Sequence, residues 1–384
     1  MKNLILLIVL SLYFLFVSCF KSVNKSENPK DIPDYYLLIG TYTNGSSKGI
    51  YVYDLNQETG EMKFVGTSPD ISNPSYLAVS ADERFVYAVS EDDLEDASVN
   101  SFLFDKVTGT LKFVNSRKTG GAHPCYIAVD EENNFVTTAN YTGGSVSVFP
   151  LSENGSLDSM SQVFTYQERP VGDLPSHIHT TFFSPDERFL FVTDLGKDRI
   201  YRYTVNKYPE NQSFLQDPQI VAELEAGSGP RHLAFHPDGH SMYCINELSG
   251  KITVFRYNDG FLDTIQSVDS DTTSGNVKKG SADIHLTPDG KFLYSSNRLK
   301  ADGIAVFKVN DDGSLTSIGY QTTGIHPRNF MITPNGKFLL VASRDSNCIN
   351  VFSISQETGL LSDTGNKIEI DKPVCLKLIF KNSH

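Results

Sequence analysis

The chain has 384 residues, with 33 Lys and Arg against 46 Asp and Glu, so its formal net charge is −13 and its isoelectric point is near 5.1. An acidic protein repels phosphate backbones, which argues against a nucleic-acid partner. Hydrophobic residues make up 39% of the sequence, and the length allows one large core or two ordinary domains of about 150 residues each.

The first predicted element is an export signal. Lys2 precedes an apolar run over residues 4–17, and Ser18 and Cys19 follow it. A basic start, a short apolar stretch and a small residue before a cleavage point are typical of a secretory signal. The run is shorter than the ~20 residues that a transmembrane helix needs.

Residues 16–19 resemble a bacterial lipobox, although Phe16 replaces the usual Leu. We therefore predict a lipoprotein-type signal peptide over residues 1–18 and lipidation of Cys19, with an uncleaved anchor as the alternative. Residues 19–33 are polar and without periodicity, and are predicted to be a flexible tether. The chain is thus expected to be exported and to contact a bacterial membrane only through this lipid anchor.

The remaining residues, 34–384, repeat themselves with a period of roughly 50 residues. The best-preserved copies lie at residues 182–194, 235–246, 286–297 and 332–343. Each copy is an apolar strand, a turn of the Pro-Asp-Gly type and a second apolar strand. A third, alternating strand and a more polar fourth strand follow. Four antiparallel strands per unit, with almost no helical pattern, are typical of propeller blades.

The number of blades follows from counting second strands, which lie near Leu37, Phe85, Phe135, Phe189, Met242, Phe292 and Phe338. The first unit begins directly with its second strand at Tyr35, whereas residues 373–380 form a strand pattern without a successor. We therefore predict an all-β, seven-bladed propeller whose C-terminal strand completes the first blade and closes the ring. A pair of β-sandwiches, the alternative, leaves this last strand unexplained. Four cysteines fall on strands of four different blades and are predicted to be buried free thiols, namely Cys125, Cys244, Cys348 and Cys375.

This topology locates candidate functional residues. In each blade the first strand starts, and the second strand ends, at the same face beside the channel. These positions carry His, Arg and Glu with little Lys, and Arg suits two-pronged recognition of a carboxylate or phosphate. The residues at this predicted mouth include His179, Arg231, His232, Glu247, Asp283, Arg298, Arg328 and Asn329.

Four histidines lie near this mouth and differ in their predicted roles. His177 and His179 have the spacing of two metal ligands on one strand, but no third ligand has a convincing spacing, so no metal is predicted. His285 lies in mid-strand beside Asp283, as a substrate contact or as a satisfied core histidine. His326 precedes a proline and is predicted to position its neighbours.

The sequence resembles the propeller lactonase family, of the bacterial 6-phosphogluconolactonase and carboxymuconate cyclase type. The similarity spans roughly residues 35–380 and rests on several motifs: Pro175-Ser-His-Ile-His179, Gly229-Pro-Arg-His232, Cys244-Ile-Asn-Glu247, Ser281-Ala-Asp-Ile-His285, Ser296-Asn-Arg298 and His326-Pro-Arg-Asn329. The resemblance implies hydrolysis of a sugar-acid lactone without a cofactor. The catalytic groups that it implies are His179 (or His177), Arg231, Glu247 and Arg298.

In this hypothesis Glu247 activates water, the arginines stabilise charge, and His179 protonates the leaving alkoxide or positions the water. Substrate binding is expected from His177, His232, Asp283, His285, Arg328 and Asn329. The expected partner is a small anionic lactone or sugar acid, bound by a monomer. Two alternatives remain: a cycloisomerase acting on a muconate-type diacid, and a non-catalytic binding propeller at the cell surface. The predicted export signal departs from the cytoplasmic location of phosphogluconolactone.

Overall fold

The computed structural model describes residues 34–167, 174–275 and 277–381. The predicted signal peptide over 1–18, the lipidation site Cys19 and the tether over 19–33 lie outside these residues. No helix in the described part of the chain is long and apolar enough to cross a membrane.

The described residues form seven sheets of four antiparallel strands. Blade 1 contains β1 (Asp34–Thr41), β2 (Tyr51–Leu55) and β3 (Met62–Thr67), and blade 2 contains β4 (Leu77–Val79), β5 (Phe85–Ser90), β6 (Ser98–Asp105) and β7 (Thr110–Lys118). Blade 3 contains β8 (Pro124–Val129), β9 (Phe135–Asn140), β10 (Ser145–Pro150) and β11 (Gln162–Thr165). Blade 4 contains β12 (Ile178–Phe183), β13 (Phe189–Asp194), β14 (Arg199–Val205) and β15 (Leu215–Glu223). Blade 5 contains β16 (Pro230–Phe235), β17 (Ser241–Asn246), β18 (Lys251–Asn258) and β19 (Phe261–Asp269). Blade 6 contains β20 (Ser281–Leu286), β21 (Phe292–Asn297), β22 (Gly303–Val309) and β23 (Leu315–Thr322). Blade 7 contains β24 (Pro327–Ile332), β25 (Phe338–Ser343), β26 (Cys348–Ile354) and β27 (Leu361–Glu369), and the last strand of the chain is β28 (Pro373–Lys381). A short 3-10 helix, Arg344–Ser346, follows β25.

The C-terminal strand closes the ring, as the repeat count predicted. β28 pairs with β1 from Asp34 opposite Lys381 to Thr41 opposite Pro373, and it is the innermost strand of blade 1. The innermost strands contact one another around the channel in the order β28, β4, β8, β12, β16, β20, β24 and back to β28. The predicted seven-bladed propeller is therefore confirmed.

Burial explains why the second strand of each blade has a continuous apolar pattern. All residues of β5, β9, β17 and β21 are buried, because both faces of an inner strand pack against neighbouring blades. The outer strands carry polar residues because one edge faces water. The four predicted free cysteines are buried and unpaired, as expected.

The turns between first and second strands are built alike, which explains their repetition in the sequence. In blade 6, Thr287 Oγ donates to Asp289 at 2.7 Å and accepts from the Phe292 backbone N–H at 3.1 Å. Gly290 has φ of 73°, a left-handed conformation that glycine adopts without a steric penalty. These turns all lie at the face opposite the ends of the second strands.

Candidate functional site

In three blades, a β-bulge near the start of the innermost strand directs one side chain towards the end of the channel. The pairing register shifts between Ile178 and Thr180, between Pro230 and His232, and between Pro327 and Asn329. The residue inside each shift is a predicted site residue: His179, Arg231 and Arg328. Bulges change the direction of a side chain relative to regular pleating and occur often beside active sites. The repeat therefore presents equivalent positions from different blades to one opening, which we call the mouth.

The centre of the mouth is a carboxylate held by two arginines from different blades. Glu247 Oε2 accepts from Arg231 Nε at 2.8 Å and lies 3.1 Å from Arg298 Nη2. The Glu247 side chain is 22% exposed, whereas the Arg231 and Arg298 side chains are 2% and 7% exposed. Both contacts use Oε2, and Oε1 makes no hydrogen bond with the described residues. Oε1 is thus the oxygen that remains available to water or substrate.

A third arginine leaves the mouth with an excess of positive charge. Arg328 Nη2 lies 3.6 Å from Glu91 Oε2, which also accepts from Tyr42 Oη at 2.9 Å. Burial opposes the charge of Arg328, but Tyr42 and Glu91 outweigh it and raise the pKa of the guanidinium. Three guanidinium groups therefore face two carboxylates. An anionic ligand is attracted to this opening even though the protein is acidic.

The same positive charges keep Glu247 ionised. Burial alone would raise the pKa of its carboxyl, but Arg298, Arg231 and Arg328 together hold that pKa below its usual value. Burial also lowers the pKa of Arg298, to about 10, so this group stays charged at neutral pH. The pair thus enters any reaction as carboxylate and guanidinium.

Arg231 is held by a buried chain of hydrogen bonds, which we call the buried arm. Arg231 Nη1 lies 3.0 Å from His232 Nε2, and His232 Nδ1 lies 2.8 Å from Asp283 Oδ1. Guanidinium only donates and carboxylate only accepts, so Nε2 is the acceptor and Nδ1 carries the proton. Burial and Arg231 lower the pKa of His232 to about 4, which agrees with a neutral ring.

Asp283 has its oxygens occupied within the protein. Besides His232, it accepts from His285 Nε2 at 3.0 Å and from the backbone N–H groups of Ile284 and Phe330 at 3.1 and 3.2 Å. Asn329 Nδ2 is a further donor, and Asn329 Oδ1 accepts from Leu376 N–H at 2.7 Å. These residues are predicted to bind substrate. Asp283, Asn329 and His232 are only 2%, 3% and 5% exposed, and their hydrogen bonds lead through His232 to Arg231.

Arg298 is held by a second chain, the outer arm, which contains a His, an Asp and a further arginine. Arg298 Nη1 lies 3.3 Å from His326 Nε2, and His326 Nδ1 lies 3.2 Å from Arg344 Nη2 and 3.3 Å from Asp345 Oδ2. Burial, Arg298 and Arg344 lower the pKa of His326 to about 2, so this ring is also neutral. The side chain of Asp345 is 40% exposed and binds Arg344 through both oxygens. His326 is therefore in contact with a site residue, as its predicted positioning role requires.

The two histidines of blade 4 both contact Tyr141. The His177 ring stacks on Tyr141 with 4.5 Å between centroids, and the His179 ring meets it edge to face at 5.6 Å. His179 is 3% exposed, and its Nδ1 is buried without a hydrogen bond in the described structure. Burial and Arg231 hold the pKa of His179 well below its usual value. A neutral His179 cannot begin a reaction as a proton donor at neutral pH, so of its two predicted roles the positioning of water fits better.

His285 lies apart from the mouth, in the channel. Its side chain is 38% exposed and contacts Asp283, so it is not the satisfied core histidine that was one of the two expectations. Among the described residues no group of three His, Cys, Asp or Glu side chains has the arrangement of a metal site.

Two residues that contact the site, Tyr42 and Asp345, were not predicted from the sequence. Each follows the end of a second strand by one or two residues, just after Thr41 and Arg344. Extending the alignment of strand ends by two positions would have included both.

Comparisons with known proteins agree with this architecture. The model of a lactonase family with a seven-bladed β-propeller matches residues 36–378. A 6-phosphogluconolactonase from Formosa agariphila is 35% identical over 356 residues, which cover 91% of this chain and 100% of the relative.

Two solved structures have the same fold. One, named as a candidate 6-phosphogluconolactonase from Bacteroides fragilis, is 46% identical with a TM-score of 0.86, covering 92% of this chain and 99% of its own. The other, a periplasmic gluconolactonase from Pseudomonas aeruginosa, is 33% identical with a TM-score of 0.83, covering 90% and 99%. The chain belongs to the seven-bladed β-propeller lactonase family.

Proposed function

We propose that this protein hydrolyses a sugar-acid lactone at the mouth of the channel, in the manner of a 6-phosphogluconolactonase. The observation that carries the proposal is Glu247, whose Oε2 is bound by Arg231 and Arg298 while Oε1 stays accessible. Family membership and the name of the Formosa relative support lactone chemistry. The excess of guanidinium groups fits an anionic substrate.

The proposed reaction starts with water bound to Glu247 Oε1. As the water oxygen attacks the lactone carbonyl carbon, its proton passes to Oε1. A guanidinium group stabilises the negative charge that develops on the carbonyl oxygen. The neutral His179 ring orients the water.

Ring opening completes the proposed reaction. The bond between the carbonyl carbon and the ring oxygen breaks, and the leaving alkoxide takes the proton from Glu247. A carboxyl group with a lowered pKa is a weak base but a strong acid. Glu247 is thus better suited to the second step than to the first, and the arginines must compensate in the first by stabilising the oxyanion.

A second candidate substrate is an unphosphorylated sugar lactone. The Pseudomonas relative is named a periplasmic gluconolactonase, and we propose export of this chain from its first 18 residues. Because phosphorylated sugars are cytoplasmic metabolites, an exported lactonase meets the unphosphorylated form. In this case Arg328 would bind hydroxyl or carboxylate groups instead of phosphate.

The test is lactone hydrolysis by Glu247→Gln, with 6-phosphogluconolactone and gluconolactone as substrates. We expect turnover to fall by about 100-fold or more, because the acid–base group is lost. Glu223→Gln is the matched control, since Glu223 also binds an arginine, Arg199 at 3.0 Å, but is exposed on an outer strand. Full turnover by Glu247→Gln would disprove the assignment. Tight binding of sugar acids without any lactone hydrolysis would favour a non-catalytic propeller.

A further inference from the structure

A second cavity opens at the opposite end of the channel from the mouth. Its volume is about 310 Å³, and its wall includes Pro237 and Pro288 of two Pro-Asp-Gly turns, so it opens at the turn face. Ligand pockets commonly have volumes of about 300–1,000 Å³, which limits this cavity to a small molecule. We call it the turn-side cavity. Its wall does not include Glu247, Arg231 or Arg298, although His232 and Asp283 of the buried arm line it.

Three buried rings lie between this cavity and the mouth. Tyr76 and Tyr126 stack with 4.1 Å between centroids, and the His232 ring lies edge-on to them at 5.8 and 5.4 Å. All three residues are at most 8% exposed. A molecule in the turn-side cavity is therefore separated from Glu247 by a layer of packed side chains.

The cavity contains a cation without a carboxylate partner. Lys377 of β28 is half-buried, and its Nζ lies 4.8 Å from the centroid of the Tyr76 ring. Within the described residues no carboxylate lies within ion-pair distance of this ammonium. The contact with an aromatic face holds the cation in place while leaving it free to meet an anion. Such a group favours a negatively charged ligand.

The rest of the wall favours a ligand with a planar apolar group over a strongly hydrated ligand. Phe182 and Phe235 lie on the wall with centroids 6.0 Å apart and an interplanar angle of 13°. The one carboxylate on the wall, Asp283, is 2% exposed and already accepts hydrogen bonds from His232 and His285. Its oxygen atoms are therefore engaged by donors of the protein.

We propose that the turn-side cavity binds a small aromatic carboxylate, with the carboxylate on Lys377 and the ring among the aromatic side chains of the wall. Neither group of atoms is used by the mouth, so this site exists independently of lactone hydrolysis. A phosphate ion would find only one cation on the described wall and would lose hydration against phenylalanine rings.

The experiment is a titration of the purified protein with benzoate, followed by calorimetry and by ligand-observed NMR. We expect Lys377→Met to weaken benzoate binding at least tenfold and Lys377→Arg to retain it. Arg328→Gln, which changes the mouth, should leave benzoate affinity unchanged. Acetate and inorganic phosphate should bind more weakly than benzoate. Lactone turnover by Lys377→Met should equal that of the wild type.

The proposal can be decided without Lys377→Met if that variant fails to fold. In the wild type, magnetisation transfer should connect benzoate with the ring protons of Tyr76 and Phe182. Absence of benzoate binding, or binding without these contacts, would overturn the proposal. So would loss of benzoate binding in Arg328→Gln, or tighter binding of phosphate than of benzoate.

Discussion

The two arginines that bind Glu247 are each held by a chain that contains a His and an Asp, in different surroundings. In the buried arm, His232 and Asp283 link Arg231 to the channel, and Asp283 is 2% exposed. In the outer arm, His326 and Asp345 link Arg298 to the surface, and the Asp345 side chain is 40% exposed. Both imidazole rings are neutral, so the arms differ in burial and in the Arg344 contact of His326, and not in protonation.

The difference in burial affects how firmly each arm fixes the orientation of its arginine. Water can replace Asp345 beside His326, because the carboxylate is near the surface. His232 is only 5% exposed, and a buried donor left without a partner costs about 1–3 kcal/mol. We therefore expect the buried arm to fix Arg231 in one orientation and the outer arm to contribute little to the position of Arg298.

The largest effect is expected from Asp283→Asn. The amide keeps the shape of the side chain but removes the charge and one acceptor that several buried donors share. The free energy of unfolding should fall by about 3 kcal/mol, and lactone turnover by about 100-fold because Arg231 is no longer aligned. Chemical denaturation and steady-state kinetics measure the two effects.

The exposed Asp311→Asn serves as the control for this prediction, and its unfolding free energy should stay within about 0.5 kcal/mol of the wild type. A destabilised Asp283→Asn protein with unchanged turnover would mean that Asp283 is structural only. The buried arm would then have no role in positioning Arg231.

An intermediate loss of stability is expected when the pH is lowered. His232 has a folded-state pKa of about 4, below the ordinary value of 6.5, so the unfolded chain binds a proton that the folded protein excludes. Stability is therefore lost as pH falls from about 6.5 towards 4. Between pH 7 and pH 5 this one group should lower the unfolding free energy by about 2 kcal/mol.

His232→Gln removes the titrating group, so the variant should lose about 2 kcal/mol less than the wild type between pH 7 and pH 5. Denaturant midpoints at both pH values provide the measurement. His236→Gln, at a turn on the other face, is the control. If His232→Gln and the wild type lose equal stability, then His232 is not kept neutral by folding.

The smallest effect is expected from Asp345→Asn in the outer arm. Partly exposed ion pairs contribute at most about 1 kcal/mol, so stability should change by less than this amount. Turnover should change by less than about fivefold, which corresponds to 1 kcal/mol. The same denaturation and kinetic assays apply. An effect as large as that of Asp283→Asn would show that burial does not distinguish the arms.

Much of the candidate site could be predicted from the sequence repeat. Aligning the blades on their turns placed Arg231, Glu247 and Arg298 at one face, and the structure brings these three into direct contact. The alignment works because each blade repeats the same strand directions. It does not distinguish a ligand contact from a positioning group, and substrate binding by His232 and Asp283 stays a prediction.

The sequence by itself determined the number of blades, the closing strand and the face that carries the polar residues. These properties are local, since strand periodicity and turn chemistry repeat within each unit of the chain. Only the tertiary structure decided that His232 binds Asp283, 51 positions away, and that Lys377 of the last strand lies over Tyr76. Such contacts depend on the curvature of the closed ring, which sets the distances between side chains of different blades.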